Sequence, residues 1–87
     1  MESIKTPKEL GDQVRNRRKS LNLTQARLAL ACGVGRRFII ELEDGKETCQ
    51  LGLTLKVLKM LGLDLELSST EINADGSSKP RKGKANE

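Results

Sequence analysis

Through Gly62, apolar positions recur at spacings of three and four, and the runs they form are bounded by recognisable start and stop residues. In TPKELGDQVRNRRKSLN, Leu10, Val14 and Leu21 keep the helical period. Thr6 is placed to cap, Pro7 suits the first helical position, Glu9 can close a capping box, and Asn22 can take a left-handed stop. These signals predict a helix over about 7–20. LTQARLALACG predicts a second helix of about two turns, with Thr24 as N-cap, Leu28 and Ala29 inward and Gly33 as its stop. A helix this short must be held by its neighbours. GRRFIIELEDG predicts a third, closed by Gly45. LGLTLKVLKMLG predicts a fourth, with Leu51, Leu55, Leu58 and Leu61 as its apolar face and Gly62 as its stop.

Beyond Gly62 the period changes. Leu63, Leu65 and Leu67 alternate with Asp64 and Glu66, which is the signature of a half-buried strand. One such strand after four helices has no mate in its own chain, so pairing with the same strand of a second copy is expected. From Ser68 onward Ser, Gly, Lys, Asn and Pro dominate, and Ile72 is the one sizeable apolar residue. That composition predicts a disordered tail over 68–87. Residues 1–67 are left as a single domain, with two short helices joined by a turn at about 24–45 and the dimer strand at about 63–67.

Composition narrows the chemistry. The 87 residues suffice for one small domain, and Phe38 is the sole aromatic residue in a Leu-rich apolar set that favours small helices. Net charge is +4, gathered in Arg15, Arg17, Arg18 and Lys19 and again in Arg36 and Arg37; surfaces of this kind suit phosphate. With no histidine, and with Cys32 and Cys49 far apart, neither a zinc site nor a disulfide framework is expected. No nucleophile–base pair stands out, so no catalytic residue, metal or cofactor is expected and the chain reads as a non-enzyme. No apolar run approaches a membrane span and no signal-peptide core opens the chain, which predicts a cytoplasmic protein.

The stretch GVGRRFIIELEDG admits two readings. As a dinucleotide fingerprint it fails, because Phe38 stands where a third glycine is required and no buried strand precedes Gly33. As two helices joined at Gly33 it fits a helix-turn-helix. At 100° per residue, Phe38, Ile39 and Leu42 fall on the inner side of the third helix. Arg36, Arg37, Ile40, Glu41 and Asp44 fall on the outer side. An outer face that begins with two arginines suits a recognition helix, since arginine binds guanine O6 and N7 with a bidentate fork and Ile40 can touch a thymine methyl.

The segment LTQARLALACGVGRRFIIELEDGK resembles the helix-turn-helix of the lambda-repressor/Cro-type (XRE) regulators, over roughly residues 8–61. With its continuation GKETCQLGLTLKVLKMLGLDLEL the chain is similar to HipB-like antitoxins. The resemblance implies an all-α, four-to-five-helix lambda-repressor-like domain with a short C-terminal strand pairing between protomers. It further implies a homodimer that binds a palindromic operator in double-stranded DNA, represses its own operon and neutralises a HipA-like serine/threonine kinase toxin. A stand-alone or phage-type XRE regulator without a toxin partner is the alternative. Carried over by position, Thr24 and Gln25 at the head of helix two, Arg36, Arg37, Ile40 and Glu41 on the third helix, and Lys46 just after it are the expected DNA-binding residues. Leu63, Leu65 and Leu67 are the expected dimer interface. Two positions depart from the family pattern: Gly35 stands where a Ser, Thr or Lys is usual, and Arg27 replaces an acid.

Overall fold

In the computed structural model, residues 3–72 and 78–80 are described. Four helices follow in order, α1 (Pro7–Ser20), α2 (Gln25–Cys32), α3 (Arg36–Glu43) and α4 (Leu51–Met60). The start signals act as the side chains dictate. Thr6 accepts from the Glu9 amide at 3.1 Å while the Glu9 carboxylate accepts from the Thr6 amide at 3.2 Å, a complete capping box. Thr24 Oγ1 accepts from the Arg27 amide at 3.1 Å and so caps α2. Asn22 ends the first helical segment with φ 59°, and Gly33 ends α2 with φ 71°, both in the left-handed region where an unbranched or absent Cβ is tolerated.

The core is formed by Val14 of α1, Leu28, Ala29 and Cys32 of α2, Ile39 and Leu42 of α3, and Val57, Leu58 and Leu61 at α4. Leu10, Leu23, Val34, Phe38, Cys49 and Leu63 close over it from the edges. The inner face of α4 differs from the expectation. Thr54, Val57, Leu58 and Leu61 point inward, whereas Leu51 is 68% exposed and Leu55 40%. Thr54 tolerates the interior because its hydroxyl donates to the Gln50 carbonyl at 2.8 Å. The polar-looking threonine thus occupies a core position, and two leucines are left as an exposed i, i+4 ridge.

Helices α1 and α3 cross unusually closely. Gly11, buried in the second turn of α1, lies against the last carbonyls of α3; an added Cβ would stand 2.4 Å from the Leu42 oxygen and 2.7 Å from the Glu43 oxygen. No periodicity argument singles this glycine out.

After α4 the chain carries no strand over 63–67 within a single copy. Leu63 packs on the core, while Leu65 is 53% and Leu67 92% exposed. A short two-stranded antiparallel ribbon instead joins β1 (Thr70–Ile72) to β2 (Ser78–Pro80), with Glu71 opposite Lys79. It falls within the segment 68–87 that composition reads as a disordered tail; residues 73–77 and 81–87, with most of the basic KPRKGK stretch, lie outside the described residues. Among the described residues no helix is long and apolar enough to cross a membrane.

Candidate nucleic-acid interface

Helices α2 and α3, joined through Gly33-Val34-Gly35, form the helix-turn-helix. Gly33 reverses the chain, its amide and that of Val34 closing on the Leu30 and Ala29 carbonyls at 3.2 Å and 3.0 Å. Val34 tucks against the core, and the chain re-enters a helix at Arg36. Ile39 and Leu42 are buried beneath α3, with Phe38 half-buried at the edge. This packing fixes which side of α3 faces out. Arg36 and Arg37 occupy its first turn, both exposed, and neither forms an ion pair with a described residue.

The rest of the expected site divides into groups already engaged and groups left open. Glu41 is half-buried and accepts from Lys46 Nζ at 3.2 Å, so its pairing is with the lysine after the helix and not with Arg37 four residues earlier. Ile40 is half-buried on the same outer side. Gln25 is also half-buried, and its amide donates to Glu43 Oε1 at 3.1 Å, leaving one amide hydrogen and the carbonyl oxygen for a ligand. Thr24 keeps its hydroxyl on the α2 cap.

The basic cluster of α1 separates most sharply. Arg18 leaves the surface altogether. Its Nε donates to Glu43 Oε2 at 2.6 Å, its Nη2 to Oε1 at 3.0 Å, and its Nη1 to the Leu23 carbonyl at 2.8 Å. The side chains of Arg18 and Glu43 are 9% and 1% exposed. Bidentate geometry of this kind compensates the cost of desolvating both charges. Arg17 turns to α4 and donates to the Leu61 carbonyl at 2.8 Å, satisfying the end of that helix. Lys19 stays exposed. The Arg18–Glu43–Gln25 group is the feature that sequence reasoning missed. Its signal is positional: Arg18 lies four residues after buried Val14 and Glu43 four after buried Ile39, so two opposite charges sit at inner-face spacing.

Burial pushes the thiols of Cys32 and Cys49 up from their ordinary value, Lys56 partly opposing this at Cys32 and Lys46 at Cys49, where Glu41 adds to the rise. Both stay protonated near neutrality, and among the described residues no three potential metal ligands gather.

The recognition helix begins without a side-chain cap. Gly35 holds the N-cap with φ −75° and ψ 150°, makes no cap hydrogen bond, and an added Cβ there would meet nothing within 4 Å. Gly35→Ser is therefore expected to stabilise the fold by about 0.5–1 kcal/mol, through a new cap and a less flexible unfolded chain. A rise of several degrees in the thermal midpoint would register it; a fall would mean the position is constrained by something the glycine accommodates.

With this geometry in place, comparison with known proteins defines the class. Residues 9–69 match the helix-turn-helix domain family. Over 64 residues the chain is 50% identical to an uncharacterized HTH-type transcriptional regulator of Sinorhizobium fredii, covering 74% of this chain and 84% of that protein. The chain belongs to the helix-turn-helix transcriptional regulators. Among solved structures, it is similar to HipB in the HipB–O4 20mer complex, at TM-score 0.73 and 25% identity, over 79% of this chain and 97% of that one. It is similar also to a chain of the HipA–HipB–O2–O3 complex, at TM-score 0.74 and 25% identity, over 82% and 100%. The all-α, HipB-like fold expected from the resemblance is the one observed, with four helices.

Proposed function

We propose that the protein is a dimeric, sequence-specific repressor of its own operon and the antitoxin of a HipA-like serine/threonine kinase. The observation that carries the reading is the match in fold, over 97% or more of their length, to HipB chains solved in the O4 20mer complex and in the HipA–HipB–O2–O3 complex. The site supports the DNA half. Arg36 and Arg37 project from the first turn of α3, where a recognition helix meets base edges, and each can grip a guanine with a bidentate fork. Lys46, held beside α3 by Glu41, can meet a backbone phosphate from there. Exposed Leu65 and Leu67, with the Leu51–Leu55 ridge of α4, leave apolar surface for a second copy. Two copies related by a two-fold axis present two recognition helices to a palindromic site.

One observation favours a second reading. The Sinorhizobium relative, twice as similar in sequence as the HipB structures, is named as an uncharacterized HTH-type transcriptional regulator, and a transcriptional repressor that acts alone is the second reading. Expression of the native operon with an affinity tag on this chain separates the two: a co-purifying kinase supports the antitoxin reading, and its absence leaves the plain repressor. In the same preparation, Arg36→Ala and Arg37→Ala are each expected to weaken operator binding between about five-fold and a hundred-fold with dimerisation intact. Unchanged operator affinity in the double variant would move the reading head elsewhere.

A further inference from the structure

An open cleft of about 510 Å³ lies where α1, α2 and α3 meet, lined by Arg15, Arg18, Leu23, Thr24, Gln25, Ala26 and Arg36. Its lining holds three arginines and no carboxylate. Arg18 is consumed by Glu43 and the Leu23 carbonyl, as described above, but Arg15 and Arg36 are exposed and pair with no described residue. Two unpaired guanidiniums on one concave surface repel one another, so in the free protein they raise the potential there and in a complex they call for an anion. The fold itself puts Arg15 in place. Gly11 presses α1 against the end of α3, and Arg15, one turn further along the same row, emerges at the cleft next to Arg18. The first turn of α2 faces the same space, and its Gln25 and Ala26 amides precede the first intrahelical hydrogen bond, adding positive potential.

We propose that Arg15 is a further DNA-binding residue, which grips a backbone phosphate of the duplex from the α1 side of this cleft while Arg36 enters the major groove from the α3 side. The inference rests on the DNA-binding reading above. It singles out Arg15 from the basic cluster of α1, which the sequence pattern reads only as a surface suited to phosphate, and assigns it the task of setting how the recognition helix is seated. The role is positional and carries no base preference, because a phosphate is the same at every step of the duplex.

The test compares wild type with Arg15→Gln and with Lys19→Gln, an equal charge loss on an exposed residue of the same helix outside the cleft. Each is titrated, over a range of salt concentrations, against a duplex selected by the wild type from a random pool and against a scrambled duplex. For Arg15→Gln the slope of log affinity against log salt is expected to flatten by roughly one per protomer. Affinity for both duplexes should fall together, by about eight-fold per protomer at 0.1 M salt, with the thermal midpoint unchanged. Lys19→Gln should keep the wild-type slope. An Arg15→Gln slope equal to that of wild type, or a loss confined to the selected duplex, overturns the proposal while leaving the DNA-binding reading standing. If wild type selects no duplex at all, both fall.

Discussion

Glu43→Ala is expected to cost about 3–5 kcal/mol, a large share of the roughly 5–15 kcal/mol that stabilises a small domain. The reason is the asymmetry of buried charge. Glu43, 1% exposed, is held by two hydrogen bonds from Arg18 and one from Gln25. Removing the carboxylate leaves a guanidinium that is 9% exposed with the Leu23 carbonyl as its remaining partner. The loss is one of an uncompensated cation more than of a contact, and it should exceed the roughly 0–1 kcal/mol expected from breaking the exposed Lys8–Asp12 pair. Urea denaturation near neutral pH checks it: the midpoint should drop by at least about 1 M. The double change Arg18→Met, Glu43→Leu should regain much of the loss, because two apolar side chains owe no desolvation cost. If Glu43→Ala lowers stability by less than about 1 kcal/mol, the pair is not buried in solution as it is in the fold.

Gly11→Ala should also destabilise, against helix propensity. At an exposed helical position alanine is better than glycine by about 1 kcal/mol. Here the new methyl would stand 2.4 Å from the Leu42 oxygen and 2.7 Å from the Glu43 oxygen, both backbone atoms that cannot rotate away. Helix α1 must then withdraw from α3, and the net loss is expected at about 1–3 kcal/mol. The effect should not add to that of Glu43→Ala, since withdrawal of α1 also carries Arg18 away from its carboxylate. Thermal denaturation of the two single variants and the double variant tests both points. A raised melting temperature for Gly11→Ala would refute the close crossing. Gly35→Ser is the counterpart, a glycine replaced where space is open.

How far the chain can be read without its structure depends on the range of the interaction. Thr6, Glu9, Thr24, Gly33 and Asn22 act on backbone groups within four residues, so α1 and α2 were legible to within a residue of their ends. The outer placement of Arg36 and Arg37 followed from the period of Ile39 and Leu42 alone, and with it the helix-turn-helix and its DNA-binding class. On α4 the period places Leu58 and Leu61 inside, but Leu51 and Leu55 are exposed and Thr54 is buried, against the hydropathy ranking of leucine above threonine. Burial is decided by which side of α4 meets the core, and Thr54 can satisfy its hydroxyl locally.

The sequence by itself determined the helices, their caps, the turn at Gly33 and the exposed arginine pair, since each is set by neighbours along the chain. Tertiary structure alone decided which of five nearby arginines remain available. Arg18 faces Glu43 across 25 residues, and Arg17 faces the Leu61 carbonyl across 44, leaving Arg15 with Arg36 and Arg37 in the open. It alone decided also that Gly11 must be glycine. A cation's role is fixed by the field of groups distant in sequence, and the distance between two helices by the smallest side chain where they cross.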